Sequence, residues 1–238
     1  MVIDFHTHIL PQIDDGSGSL EESIGLLKME AEQGIRFVIA TPHFYAHRDT
    51  PEKFLERRNV AERRLRDEMR NYEGLPDITV GAEVYFFPGM SGSKALQDLT
   101  IRGTRCIMIE MPPPPWTEQM YQELQAVYDR QGLIPIIAHV DRYIGPFRTH
   151  NIPKKLEQMP VYVQANANFF VRKETSRMAL KMLKEGQIHL LGSDCHNLKD
   201  RKPNLENALQ VILEKLGRRA IRRIRICEGE VLLGKQNG

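Results

Sequence analysis

Seven short apolar runs, each followed by a helical pattern, limit what this chain can fold into. They occupy residues 2–5 (VIDF), 36–40 (RFVIA), 78–82 (ITVGA), 105–109 (RCIMI), 134–138 (IPIIA), 161–165 (VYVQA) and 188–192 (IHLLG). Most are nearly continuous rather than alternating, which suits parallel strands covered on both faces. Between them, Leu20, Ile24, Leu27 and Ala31 recur at helical spacing over residues 19–33, opened by a Ser19-x-x-Glu22 capping box and closed by Gly34. A highly charged helix is predicted over 51–72, starting at Pro51, and others over 117–131, 175–185 and 204–216, each stopping near Gly132, Gly186 or Gly217. Residues 218–234 are expected to add one or two short helices.

Strand then helix, repeated about seven times in 238 residues, predicts an α/β barrel. The competitor is an open doubly wound sheet, but neither G-x-G-x-x-G nor G-x-x-x-x-G-K-[ST] occurs. No linker, repeat or charge block divides the chain, so residues 1–238 are read as one domain. Lys plus Arg exceeds Asp plus Glu by only 2, too little to hold nucleic acid by bulk electrostatics. No apolar run reaches the ~18 residues of a membrane helix. Cys106, Cys195 and Cys227 form no Cys-x-x-Cys pair, so their spacing suggests neither a disulfide framework nor a cysteine zinc cage and fits a reducing compartment. The opening MVIDFHTHIL lacks the basic and apolar regions of a secretory signal, so a cytoplasmic location is expected.

The residues that can do chemistry stand at the end of each apolar run. His6, His8, Asp14 and Asp15 come after the first; Thr41-Pro42-His43 after the second; Glu83 after the third; Glu110 after the fourth; His139 and Arg142 after the fifth; Asn166 after the sixth; and Ser193-Asp194-Cys195-His196 after the seventh. In a parallel barrel these ends share one face, where barrel active sites lie. A single histidine there is as readily a hydrogen-bonded core residue as a ligand. The paired His6-x-His8 and Asp194-x-His196 are different, because side chains two apart on a strand face the same way and can reach one cation. Mixed imidazole and carboxylate donors suit Mn²⁺, Fe²⁺ or Zn²⁺ better than Ca²⁺. If Asp15, Glu83, Glu110 and Asp194 all ligate, three divalent ions leave a positive balance that attracts a phosphate dianion, whereas one ion leaves an excess of acid. Arg142 and Arg201, close after His139 and His196, offer the planar fork that suits phosphate oxygens.

Cys195 and Arg201 also stand in the C-x₅-R spacing of cysteine-dependent phosphatases. The intervening HNLKD has no glycine, and Cys195 is flanked by two expected ligands, so the spacing is read as coincidental and Cys195 as pointing into the core.

Taken together, DFHTHILPQIDDGSGSLEES, IATPHF, GAEVYFFPG, IMIEMP, IIAHVDRY, VQANA and LLGSDCHNLKDRKPN resemble the polymerase-and-histidinol-phosphatase (PHP) superfamily, and within it the bacterial PHP-type tyrosine phosphatases of capsular and exopolysaccharide synthesis. The resemblance implies a distorted seven-stranded (β/α)7 TIM-like barrel with three metals, commonly manganese. It implies one metal on His6, His8, Glu83 and Asp194, a second sharing Glu83 with Glu110 and His139, and a third on Asp15, His43 and His196. Asp14 is then an orienting neighbour, and Arg142 and Arg201 match phosphate-contacting arginines. The implied reaction is attack of a metal-bridged hydroxide on the phosphorus of a phosphotyrosine protein, with a bacterial tyrosine kinase as the implied partner.

Two departures stand out. His139-Val140-Asp141-Arg142 replaces the family's frequent His-Pro-Glu-Arg, and Phe44 and Tyr45 follow Thr-Pro-His where a basic residue is common, with Arg48 as a candidate substitute contact. Phe44, Tyr45, Phe86, Phe87, Trp116, Phe169 and Phe170 lie near the expected rim, and one or two of them are expected to touch a phenyl ring. Rival readings are a histidinol-phosphate or other small-molecule phosphatase, expected to carry histidine where Asp15 and Glu110 stand, and a nuclease. The arginines of 51–72 are interleaved with acids, as on a salt-bridged solvated face, which disfavours the nuclease. An amidohydrolase would carry a carboxylated lysine where Glu83 stands. A non-catalytic metal-binding regulator is the last alternative.

Overall fold

The computed structural model describes residues 2–144 and 151–233. In chain order the elements are β1 (Ile3–Thr7), α1 (Leu20–Glu32), β2 (Phe37–Ala40), β3 (His43–Phe44), α2 (Pro51–Met69), β4 (Asp77–Val80), β5 (Glu83–Tyr85), β6 (Cys106–Glu110), α3 (Glu118–Gln131), β7 (Ile134–Ile137), α4 (Ile152–Leu156), β8 (Tyr162–Asn166), α5 (Ala167–Val171), α6 (Ser176–Glu185), β9 (Leu190–Gly192), α7 (Leu205–Leu216) and α8 (Arg218–Leu233). All strand pairs are parallel, as expected of runs apolar on both faces. They form a mixed α/β fold with curled sheets.

Every apolar run read from the sequence becomes a strand, yet among the described residues the hydrogen bonding draws nine strands rather than seven. The order is β1-β2-β4 in one sheet and β3-β5-β6-β7-β8-β9 in another. The strands of the second and third runs each stop and resume a few residues on, as β3 and β5. Pro42 follows β2 and has no amide to give a ladder, and Gly81 follows β4. Across the breaks Gly81 N donates to Ala40 O at 2.8 Å and Glu83 N to Pro42 O at 3.0 Å, so the two chains pass together from the first sheet to the second. Arg58 of α2, buried rather than solvated, donates to Gly81 O at 3.0 Å and ties that helix to the break. The first and last strands meet through a Thr7–Cys195 bridge, with His8 N donating to Cys195 O at 2.9 Å and Asp194 N to His6 O at 2.8 Å.

Helix ends follow the local chemistry. Ser19 accepts from Glu22 N at 3.1 Å, but Glu22 returns its carboxylate to Gly18 N rather than to the cap itself. Thr50 and Thr117 cap α2 and α3. Residues 218–233 form one helix of 16 residues, not the short pieces expected. Its arginine-rich start hid a continuous apolar stripe, of which Ile224 and Val231 are buried. Val231 joins Ile3, Phe5, Cys106, Ile136 and Leu190 in a core cluster of its own. Each fully buried aliphatic or aromatic side chain there stabilises the fold by about 1.5–3 kcal/mol. Among the described residues no helix is long and apolar enough to cross a membrane.

Candidate metal centre

The parallel register sends the carboxyl ends of β1, β6, β7, β8 and β9 to one mouth, where His43 and Glu83 open β3 and β5, and the expected residues meet there. Glu83 is at its middle, fully buried. Its Oε2 lies 3.1 Å from His6 Nε2, 3.3 Å from His8 Nε2 and 3.0 Å from His43 Nδ1, and its Oε1 lies 2.7 Å from His139 Nε2. Asp194 Oδ1 is 3.7 Å from His6 Nε2 and 3.5 Å from His8 Nε2. Asp15 Oδ1 approaches His43 Nε2 at 3.4 Å and His196 Nε2 at 3.5 Å, and Glu110 lies 3.8 Å from His43 and 3.6 Å from His139. With its side chain 65% exposed, Asp15 marks the solvent side of the mouth.

For Glu83 and Asp194 burial alone would favour the neutral acid; their histidine neighbours decide otherwise. Burial pushes Glu83 up, but His6 and His139 hold it well below the usual range. Asp194 is held well below its usual range in the same way by His6 and His8. Glu110 goes up, from burial and then from the Glu83 charge. Burial and then His8 push His196 down to about 3.

The histidines are aimed by what holds their other ring nitrogen. Asp14 accepts His8 Nδ1–H at 2.7 Å and the backbone amides of His43 and Gly16, and against the effect of burial the His8 charge lowers it to about 2. An ionised carboxylate accepts only, so Nδ1 carries a proton and His8 Nε2 is the nitrogen turned toward the centre, its lone pair open to a cation when the ring is neutral. His196 Nδ1 donates to the carbonyl of Asp194 at 3.0 Å, with the same result. Tyr143 Oη lies 3.3 Å from His139 Nδ1.

Several groups therefore face one another without hydrogen-bond geometry. Glu83 Oε2, His43 Nδ1 and His196 Nε2 are buried and unsatisfied, a costly state that a cation would relieve. Among the described residues three overlapping donor groups satisfy the spacing of a cation site: His8, Asp15, His43 and His196; His6, His8 and Asp194; and His43, Glu83 and Glu110. They differ from the implied sets: His8 joins the Asp15 group, Glu83 is absent from the His6, His8 and Asp194 group, and His43 stands with Glu83 and Glu110 where His139 was implied. The donors present fit divalent ions.

Arg142 donates to Asp194 Oδ2 at 2.5 Å and Arg201 to Oδ1 at 2.9 Å. Cys195, between two of the mouth residues, is fully buried with its Sγ 4.0 Å from Glu30 Oε1. Burial and then Glu30 push its thiol well above the ordinary range, so it has none of the character of a nucleophile. Of the seven rim aromatics, Phe44, Phe86, Trp116, Phe169 and Phe170 are core residues. Tyr45 and Arg48, the latter 4.8 Å above the Tyr45 ring, line a cleft of about 510 Å³ with Asp15 and His43.

Sequence reasoning passed over Asp4 and Gln164 and gave Asn166 no role. Asp4 accepts His6 N at 3.1 Å and Ser193 N at 2.9 Å, joining β1 to the end of β9. The signal was present: a charged letter in VIDF and an amide in VYVQA, each polar where a strand apolar on both faces has no reason to be. Two residues of the mouth hold left-handed backbone, His139 at φ 30° and Asp194 at φ 55°. Such strain costs about 1–3 kcal/mol each and gathers at functional sites.

An all-parallel α/β fold with an imidazole–carboxylate cage and two arginines at its carboxyl-end mouth defines a class, the metal-site enzymes of barrel-like architecture. The chain belongs to the capsular polysaccharide synthesis family CpsB/CapC, whose family model matches residues 2–234. Among curated proteins it is 30% identical over 226 residues to the tyrosine-protein phosphatase YwqE of Bacillus subtilis, covering 91% of this chain and 85% of that one. It is 28% identical over 232 residues to the tyrosine-protein phosphatase CpsB of Streptococcus agalactiae, covering 91% and 92%. A solved structure described as that of YwqE from Bacillus subtilis and CpsB from Streptococcus pneumoniae, unique metal-dependent tyrosine phosphatases, superposes with a TM-score of 0.83 at 26% identity, over 99% of this chain and 96% of that one.

Proposed function

We propose that this protein is a metal-dependent tyrosine-protein phosphatase of capsular or exopolysaccharide synthesis. The observation that carries the reading is the meeting of His6, His8, Asp15, His43, Glu83, Glu110, His139, Asp194 and His196 at one mouth, with Arg142 and Arg201 on its edge. The relatives' names supply the substrate class. Three ions, manganese foremost, match the number of donor groups and the charge of four carboxylates. The two sheets are read as one distorted seven-stranded ring closed between Thr7 and Cys195, forming a single domain over 1–238. The substrate is read as a phosphotyrosine protein, a bacterial tyrosine kinase foremost, met in the cytoplasm.

Bound divalent cations supply Lewis acidity toward phosphoryl oxygens and lower the pKa of water. The chain supplies the rest. Asp14, by holding the proton on His8 Nδ1, keeps Nε2 a donor to the centre. Arg142 and Arg201 rest on Asp194 until a phosphate dianion offers them better acceptors, and their planar forks then fix its oxygens. The phenol of tyrosine, with a pKa near ~10, leaves with less acid assistance than an alkyl alcohol. That suits a mouth whose carboxylates Glu83 and Asp194 are held ionised. The cleft beside Asp15 and His43, lined by Tyr45 and Arg48, takes the ring.

The test is elemental analysis of the purified protein joined to hydrolysis of phosphotyrosine peptides beside histidinol phosphate. About three divalent ions per chain and preference for the peptide are expected, with loss of turnover on chelation. Preference for histidinol phosphate, or full turnover after complete chelation, would refute the reading.

A further inference from the structure

Gln164 and Asn166 lie two apart on β8, so their side chains leave the same face of the strand. Gln164 is fully buried and Asn166 nearly so. The amide of Gln164 meets the backbone N–H of His139 at 2.6 Å. A backbone N–H only donates, so the atom it meets is the oxygen, Oε1. That one assignment orients the whole chain of hydrogen bonds. The same Oε1 is 3.2 Å from His6 Nδ1, which must therefore carry a proton and donate. Gln164 Nε2 is left to donate to Asn166 Oδ1 at 3.1 Å, and this turns Asn166 Nδ2 toward Asp194 Oδ2 at 3.0 Å.

The three residues held in this way come from three different strand ends. His6 belongs to β1, and His139 and Asp194 follow β7 and β9. The last two are the mouth residues with left-handed backbone. Gln164 holds the amide of the first and, through Asn166, the carboxylate of the second. The fit is close. A Cβ at Gly192 would come within 2.5 Å of His6 Cβ and 2.8 Å of Gln164 Nε2, so only glycine lets β9 pass this pair.

We propose that Gln164 and Asn166 form a clamp of positioning residues that sets the cation affinity of the mouth. It fixes His6 as the tautomer with Nε2 free and anchors His139 and Asp194 in their strained conformations. The proposal rests on the reading of the mouth as a cation site, and it is separable from the phosphatase activity.

The test uses the full chain with Zn²⁺, a diamagnetic probe, in competition with a chromophoric chelator. Gln164→Leu keeps the volume and removes all three side-chain hydrogen bonds, and should weaken Zn²⁺ binding about 10–100-fold, the usual cost of losing a partner behind a ligand. Gln164→Glu keeps the acceptor and should recover most of the loss. Asn166→Ala, which leaves Arg142 and Arg201 on Asp194, should weaken binding less. Nitrogen-15 spectra of the zinc-loaded wild type should show a slowly exchanging Nδ1 proton on His6, and Gln164→Leu should lose it. Unchanged Zn²⁺ affinity in a folded Gln164→Leu protein, or equal losses in Gln164→Leu and Gln164→Glu, would overturn the clamp. A wild type that binds no Zn²⁺ or Mn²⁺ would instead overturn the metal centre itself.

Discussion

Glu83 Oε1 and His139 Nε2 lie 2.7 Å apart, while the other oxygen of the same carboxylate faces His6, His8 and His43. One acid from β5 thus touches four of the five histidines of the mouth. Glu83→Gln removes the charge and leaves the volume. Metal content should fall below that of the wild type, and aryl phosphate turnover should drop on the order of a hundredfold or more. Elemental analysis beside a steady-state assay reads both.

Arg142 and Arg201 both rest on Asp194, and both are more than a third exposed, so a substrate can reach them. Arg142→Lys keeps the charge and loses the fork, and KM for an aryl phosphate should rise about tenfold; Arg142→Ala should cost about a hundredfold in kcat/KM. Arg201 variants should behave alike. Metal content should be unchanged in all of them, which separates substrate contact from cation binding.

The thiol of Cys195 is buried beside Glu30 and held protonated. Cys195→Ser should therefore retain turnover within about threefold, since a metal site needs no thiolate nucleophile. Loss of turnover in a folded protein with full metal content would reassign the chemistry to the cysteine.

His189 accepts Val163 N at 3.0 Å, and burial and then Arg223 push it down to about 4. The unfolded chain protonates this histidine below ~6.5. Between these two values the unfolded state binds the extra proton, so the stabilisation is complete above ~6.5 and is lost as pH falls toward 4. The difference is at most about 3 kcal/mol. Denaturant midpoints of the wild type and His189→Gln, both with chelator so that the mouth titrates alike, should converge as pH falls across this window.

Much of this was legible before any coordinates. The seven apolar runs marked seven of the nine described strands, and the residues after them, with the family resemblance choosing Asp15 over Asp14, marked the nine mouth positions, because a parallel sheet turns sequence position into spatial position almost mechanically. What was not legible arose where tertiary contacts override local pattern. The breaks at Pro42 and Gly81 depend on two chains crossing between sheets together. The single helix α8 depends on packing that an arginine-rich start conceals. Gln164, Asn166 and Asp4 act through hydrogen bonds to strands far away in sequence. Tyr45 was distinguishable from Phe44 only by knowing which side of β3 faces the core. The grouping of donors also needed coordinates, since His8 and His43 each stand within reach of more than one group.

Asp4 binds the amide of Ser193 across a sequence separation of 189 residues. Contacts of such length form slowly and late, because loop closure must be accomplished before they reward the chain. A nascent polypeptide that has not yet delivered residues 193–201 lacks Asp194, His196 and Arg201 together. The nine mouth residues therefore come together only once the chain after β9 has docked beside β1, and a product cut short before Asp194 lacks a donor from two of the three donor groups.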